Sequence, residues 1–381
     1  MTIAYILDTY PSLSETFIAR EIAALRRCGF DIKIFALHAG QGAEVIVPSW
    51  SQVTLSTWER LTSRGARPQY FRNLGASWWR EENRRGRFAG VGHIHAAWAS
   101  HPAFIAWGAA SASGLPWSFS GHARDLWVDG TALDMKLRAA RFAAVCTRAG
   151  QKHLRDAAPD ATAKVLYAPH GIEVESYAFQ ERGTAERRET ALQVLSVGRL
   201  VEKKGFAILL EAMALLRNQH LDVAATIIGE GAARRSLEKQ IARLGLSGTV
   251  HLLGALPHDR VQAAMRAADC FVAPSIVARD GDRDGLPNVL LEAGACGVPL
   301  VASREGGVCD FLDETTGRLC APGDAAALAH AISQVSSDDP TTRALCHAAR
   351  RRVQEQFDIE YNVGVLAEAF QNGSAQHPQS S

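Results

Sequence analysis

At 381 residues the chain is longer than a single hydrophobic core usually grows, and a hydrophobic content of 47% supplies material for two. The 41 basic and 40 acidic side chains nearly cancel, which excludes a global field that would draw nucleic acid or membrane to the whole molecule. Seven scattered cysteines without a CxxC pair exclude a disulfide framework or a zinc site and read as reduced core thiols of a cytoplasmic protein. The start, MTIAYILDTY, lacks a basic leader and already reads as a first strand, and no apolar run reaches the roughly 18 residues of a membrane helix. Strand-length apolar segments then alternate with helix-period segments, the pattern of parallel βαβ units. In the first half the strands are IAYILD, DIKIFAL, GHIHAA, PWSFSG, FAAVCT and AKVLYAP. The first helix runs from about Ser14 to Cys28, with Phe17, Ile18, Ile22 and Leu25 at helical spacing and Gly29 as its stop.

Residues 60–88 break this order, with eight arginines against two glutamates and Tyr70, Phe71, Trp78 and Trp79 among them. They read either as a solvated helical excursion or as a patch that touches an anionic membrane surface or a lipid-linked pyrophosphate. No nucleic-acid-binding motif accompanies the charge. Residues 1–170 form the first expected domain, and the polar stretch 171–190 the linker. The pattern restarts at QVLSVGRL and runs through a helix (Phe206 to Leu216), VAATIIGEG, TVHLLG, DCFVAP and PLVAS, giving a second domain over 191–357. A last helix spans 358–372, and the polar tail 373–381 is expected to be disordered. The fold class is α/β, two doubly wound parallel sheets with ligands bound at their C-terminal strand ends.

Chemistry concentrates in DGDRDGLPNVLLEAGACG, residues 280–297. An acidic Gly- and Pro-containing loop here leads into a helix that begins near Pro287 and carries Glu292. Such a helix start exposes unpaired N–H groups and a positive dipole end, a natural seat for a diphosphate. Asp284 and Glu292, eight residues apart, fall a little over two turns from each other and can border one cleft. Arg199 ends a strand and Lys204 opens the next helix, so a planar fork and a point charge can converge on one phosphate pair. A calcium loop starting at Asp280 would need Glu at its twelfth position, which is Leu291. A metal-binding DxD among Asp280, Asp282 and Asp284 is disfavoured because Arg199 and Lys204 already neutralise charge. Gly229 and Gly231 either let backbone approach a cleft or make a turn. His122 lies just beyond a strand end, followed by Arg124 and Asp125, in the place where loops carry function.

Over nearly its full length the chain resembles the retaining glycosyltransferases of family 4, of GT-B fold and of the type that builds bacterial exopolysaccharides such as colanic acid. The matching runs are YPSLSETFIAREIAAL, HIHAAWAS, FSGHARDLW, VGRLVEKKGF, IIGEGAARRSLE, VHLLGAL and DGLPNVLLEAGACGVPLVAS. The resemblance implies a hexosyltransferase using a UDP- or GDP-sugar, with no cofactor and no metal, and an acceptor that is a glycan or a polyprenyl-pyrophosphate-linked oligosaccharide. It implies that Glu292 grips the ribose and that Arg199 and Lys204 hold the diphosphate. Asn288, Val289 and Gly285 would line the phosphates, and Gly229, Gly231 and the loop from Gly254 to Leu256 the rest of the donor. Asp284 and His122 would face the transferred sugar. The acceptor side would hold Ser12, Ser14, Glu15 and Thr16, with Arg124 and Asp125, and the last helix would cross back to the first domain. One departure stands out: the family's first EX7E glutamate is Asp284 here, one methylene shorter. A sugar-nucleotide epimerase on the same architecture, or a binding subunit without catalysis, are the competing readings.

Overall fold

A computed structural model describes residues 1–10, 16–39, 68–181, 191–335 and 340–372. The chain divides into two compact units, Met1–His170 joined by the C-terminal segment from Ile359, and Gly171–Asp358.

The first unit is built on six parallel strands, β1 (Thr2–Tyr10), β2 (Asp31–Ala39), β3 (Val91–Ala96), β4 (Trp117–Gly121), β5 (Ala143–Val145) and β6 (Val165–Tyr167), in the order β2-β1-β3-β4-β5-β6. All six are the strands expected from the sequence. Ile3 to Leu7 of β1 are fully buried in succession, as a strand covered on both faces requires. The first helix, α1, is Thr16–Arg27. The second, α2, is Pro68–Arg84 and carries part of the arginine-rich region. Its Trp78 is 1% exposed and packs edge-on against Phe35 and Phe88, while Trp79 packs against the same core. One turn on, the buried Glu82 carboxylate is held by Arg85 at 3.1 Å and Arg87 at 2.7 Å. Of the two readings of this region, the tryptophans fit aromatic anchors of a helical excursion: they pack on the core, because helical spacing places Trp78 on the inward face with Glu82. Helices α3 (His101–Ser113), α4 (Arg124–Trp127), α5 (Leu133–Ala139) and α6 (Arg148–Ala157) complete the crossovers.

The second unit repeats the design with β7 (Leu192–Val197), β8 (Val223–Ile228), β9 (Val250–Gly254), β10 (Cys270–Ala273), β11 (Leu300–Ser303) and β12 (Arg318–Cys320), in the order β12-β11-β10-β7-β8-β9. The three-residue β12 escaped the sequence reading because so short a segment carries no periodicity. Counted from β7, the order is the 3-2-1-4-5-6 of a Rossmann sheet, with the reversal of winding between β7 and β10. Its helices are α7 (Phe206–Asn218), α8 (Arg234–Arg243), α9 (His258–Ala267), α10 (Asn288–Ala295), α11 (Val308–Phe311), α12 (Ala325–Ser333) and α13 (Pro340–Gln356). Residues 171–181, expected as linker, belong to this unit: Ile172, Val174 and Tyr177 are buried in its core, and Ile172 pairs with Asp358. Three apolar residues at irregular spacing within a charged stretch gave no periodic signal, so burial there comes from tertiary packing. Residues 182–190 lie outside the described residues.

The last helix, α14 (Ile359–Gln371), packs within the first unit, where Val363, Leu366 and Phe370 join the cluster of Ile3, Tyr5, Leu25 and Phe142. A surface pair between Arg27 and Glu360 at 2.6 Å flanks this contact. Among the described residues no helix is long and apolar enough to cross a membrane.

Candidate functional site

In the second unit the residues singled out from the sequence gather at the C-terminal ends of β7, β8, β9 and β10, one edge of a parallel sheet. Where winding reverses between β7 and β10, the segments leaving the two strands diverge to opposite faces and open a crevice. The segment leaving β7 carries Arg199, which is exposed, and then a short turn, Glu202–Lys204. That leaving β10 carries the acidic loop and then α10.

Three close backbone approaches shape this edge. Gly205 ends the turn at φ +65°, and a Cβ there would lie 1.7 Å from the Pro274 carbonyl oxygen beyond β10. Gly229, after β8, has φ +147° and would place a Cβ 1.9 Å from the Gly198 carbonyl oxygen. Gly229 thus lets one strand end lie on another, and Gly231 does the same against Leu200. Gly254 ends β9 beside the Glu230 carboxylate, which pairs with Arg234 at 2.7 Å, and Leu256 packs partly buried on the unit's core.

The turn after β7 and the loop after β10 are joined by consecutive ion pairs. Glu202 meets Arg279 at 2.9 Å, Lys203 meets Asp282 at 3.0 Å, and Lys204 meets Asp284 at 2.9 Å. Lys203 also donates to the Arg283 carbonyl at 3.0 Å and lies 4.0 Å from Asp284, while the Ser275 hydroxyl donates to Asp284 at 2.7 Å. The Ile276 N–H donates to the Lys203 carbonyl, so backbone and side chains bind the same two segments. Burial pushes the Asp284 carboxyl up, but the ammonium groups of Lys204 and Lys203 and the Ser275 hydroxyl outweigh it and hold it below its usual range. Asp284 is thus engaged by Lys204 and Ser275 rather than left open toward a sugar. The Asp282 carboxylate is likewise engaged, by Lys203.

Helix α10 begins at Asn288, with Pro287 before it and no side-chain cap on its first N–H groups. The Asn288 side-chain oxygen is buried without a hydrogen-bond partner. Glu292, 5% exposed, sits one turn into this helix, Val289 packs against the core, and Gly285 belongs to the loop ahead of it. Among the described residues no cluster of three or more His, Cys, Asp or Glu side chains could hold a metal ion.

The first unit contributes His122, just past β4 and 8% exposed. Its ring lies 4.3 Å from Trp98, 5.0 Å from His170 and 5.1 Å from Phe17 between centroids. Its Nδ1 is 3.7 Å from Asp125, too long for a hydrogen bond, and has no other partner. The Asp125 carboxylate is spent on three backbone N–H groups, of Ala99 at 2.9 Å, His122 at 3.0 Å and Ala123 at 3.1 Å. Asp125 therefore fastens the His122 loop to the end of β3 and does not face an acceptor. Burial raises its pKa, yet His122 and these N–H groups bring it below the usual carboxylate range. Arg124 pairs with Asp129 at the surface, and Thr16 opens α1. Ser12, Ser14 and Glu15 lie outside the described residues.

Beneath His122 is a buried polar array that the sequence reading missed. His93 and His95 share the Ser118 hydroxyl at 2.7 and 2.8 Å, and His95 reaches Ser120 at 3.1 Å. Tyr5 hydrogen-bonds Glu21, and Lys136, fully buried, donates to the Ala99 carbonyl. Burial drives His93 down to about 3 and Lys136 down to about 7, and raises Glu21. The available signal was the alternation of His93 with His95 and of Ser118 with Ser120, which puts all four on one face of the sheet.

The family model for the glycosyl transferases group 1 matches residues 179–352. The amylovoran biosynthesis glycosyltransferase of Erwinia amylovora is 34% identical over 209 residues, 55% of this chain and 51% of that protein. A GDP-mannose-dependent phosphatidylinositol monomannoside mannosyltransferase of Mycolicibacterium smegmatis is 31% identical over 214 residues, covering 54% and 56%. The chain thus spans about half the length of these curated relatives. Among solved structures, sucrose-phosphate synthase from Thermosynechococcus elongatus superposes with a TM-score of 0.77 at 21% identity, covering 99% of this chain and 100% of that one. Anabaena HepE, in complex with UDP and glucose, gives 0.72 at 20% identity over 98% and 100%. At such identities the likeness establishes the fold: residues 179–352 match the group 1 glycosyl transferase model within a chain of two Rossmann-like sheets that has the GT-B fold.

Proposed function

We propose that this chain is a retaining glycosyltransferase of exopolysaccharide biosynthesis. It moves a hexose from a UDP- or GDP-sugar to a hydroxyl of a glycan or lipid-linked oligosaccharide. The observation that carries the reading is the placement of Lys204 and the start of α10 on the two segments that leave the β7/β10 switch point. As the sugar–diphosphate bond breaks, negative charge grows on the leaving group. Arg199, Lys204 and the uncapped N–H groups of α10 are the donors that stabilise it there, and such stabilisation is usually the largest contribution to catalysis. Glu292 accepts hydrogen bonds from the ribose hydroxyls, and the loop from Gly254 to Leu256 contacts the base. His122, in its aromatic surround, meets the transferred sugar, and departure and attack on one face of that sugar keep its configuration. The names of the relatives support the substrate class, since one is an amylovoran biosynthesis enzyme and another is GDP-mannose-dependent.

Arg199 and Lys204 take the place of a metal in this scheme, and the carboxylates of Asp282 and Asp284 are engaged by lysine ammonium groups rather than by a metal ion. Seven cysteines, none of them in a disulfide, fit a reducing compartment, the cytoplasm. Peripheral contact with an anionic lipid surface at the inner face of the plasma membrane then rests on charge, from the exposed Arg80 and Arg84, rather than on the inward-turned tryptophans. The deciding experiment screens UDP- and GDP-sugars for thermal stabilisation, since a bound donor raises the melting temperature by mass action. The stabilising donor is then incubated with lipid-linked acceptor in EDTA, and the anomeric configuration of the product is read by NMR. An α-linked product from an α-linked donor, formed in EDTA, is expected. Conversion of the donor without acceptor would instead mark an epimerase, and an absolute need for added metal would overturn the lysine-based scheme.

A further inference from the structure

The ion pairs between the two crevice segments contain a residue to which neither the motif nor the proposed mechanism gives a role. Lys203 is 8% exposed, and its ammonium group contacts Asp282, the Arg283 carbonyl and, at 4.0 Å, Asp284. Its neighbour Lys204 reaches Asp284 alone of these acids. Lys203, Lys204, Asp282 and Asp284 together sum to zero charge. Without Lys203 the same cluster is left with two buried or half-buried carboxylates and one cation, a net negative charge beside the seat of an anionic ligand. The outer pair of Glu202 and Arg279 is solvent-exposed and adds little.

We propose that Lys203 is a positioning residue for the donor diphosphate. It neutralises Asp282 and shares Asp284, so that the Lys204 ammonium remains available to the diphosphate beside a cluster with no net negative charge. This rests on the reading of Lys204 as a diphosphate ligand. The distinction from packing is electrostatic: Asp282→Asn added to Lys203→Met restores the charge balance without restoring the lost contacts.

The test titrates the full chain with UDP and with GDP by calorimetry, with thermal melts of each variant as a folding control. Lys203→Met is expected to weaken the nucleotide that binds wild type by about tenfold, because the lost charge acts on the diphosphate through space and not by contact. Adding Asp282→Asn is expected to recover most of that loss, and Asp282→Asn alone to leave affinity unchanged or tighter. A double variant as weak as Lys203→Met overturns the proposal in favour of a packing role. Lys204→Met separates the two levels of inference. Should it bind nucleotide like wild type, the diphosphate reading itself falls. Should it bind weakly while Lys203→Met binds normally, that reading stands and the role of Lys203 is refuted. Where Lys203→Met does not fold, Asp282→Asn decides alone, because weakened binding there contradicts a carboxylate that repels the ligand.

Discussion

On β3 and β4 of the first sheet the buried histidine and serine side chains form a neutral array, whereas at the strand ends of the second sheet the buried polar groups are paired ions. His93, His95, Ser118 and Ser120 form a hydrogen-bonded array in which burial holds both imidazoles uncharged. In the second sheet the buried Asp284 carboxyl is held below its usual range, because it lies against the ammonium groups of Lys204 and Lys203. One Rossmann-like framework therefore supports two kinds of desolvated surface. In the first sheet the neutral groups satisfy one another, and in the second cations held in place by counter-ions suit a phosphate whose charge grows during reaction.

The contrast breaks first where the charged edge depends on backbone geometry. Gly205→Ala would force a side chain into the left-handed region and against the Pro274 carbonyl. Together these should cost about 3 kcal/mol of stability in the second unit. Separating the turn from β10 should also loosen the pairing of Lys203 and Lys204 with the acidic loop. Chemical denaturation measures the first effect, and an unchanged transition midpoint would mean that the two segments are not clamped as described.

A somewhat smaller effect separates the two surfaces by function. Lys204→Met should lower kcat/KM for the nucleotide sugar about 100-fold, the scale of losing one donor to a developing anion. His122→Ala should instead act mainly on kcat and leave UDP or GDP affinity near wild type, because it lies in the neutral surround of Trp98, Phe17 and His170. Steady-state kinetics with nucleotide titration checks both. Equal loss of nucleotide affinity in the two variants would erase the division of labour.

Much of the second unit was legible because its signals are local. Strand, turn, acidic loop and helix follow one another within a few residues, and Arg199, Lys204, Asp284 and Glu292 each sit where a strand ends or a helix begins. What remained hidden depends on distance along the chain. Lys203 and Asp282 are 79 residues apart, and only the parallel neighbours β7 and β10 bring them together. Asp125 looked like an acceptor-side acid because nothing local reveals that Ala99, 26 residues earlier, would claim its carboxylate. The tryptophans of α2 were ambiguous for another reason: a helix with arginines and aromatics reads alike whether its aromatic face meets lipid or a core, and Phe35 and Phe88 decide it for Trp78.

The neutral array carries its own signature in the dependence of stability on pH. His93 has a folded pKa of about 3, lowered by burial and then by the charge of Arg141, against about 6.5 in an unfolded chain. Above pH 6.5 neither state binds the proton and the residue contributes nothing to pH dependence. As pH falls below 6.5 only the unfolded state takes it up, so the folded state loses about 1.4 kcal/mol per pH unit for this histidine until its folded pKa is reached. His93→Gln removes that titration. The variant should therefore show a shallower decline in first-unit stability between pH 6 and 4.5, by about that amount per unit, whatever its stability at pH 7.5. Urea unfolding of wild type and variant at several pH values isolates the difference, since the remaining carboxylates and histidines titrate in both. Parallel pH profiles would show that His93 accepts a proton inside the fold, and with it that the array on β3 and β4 tolerates buried charge.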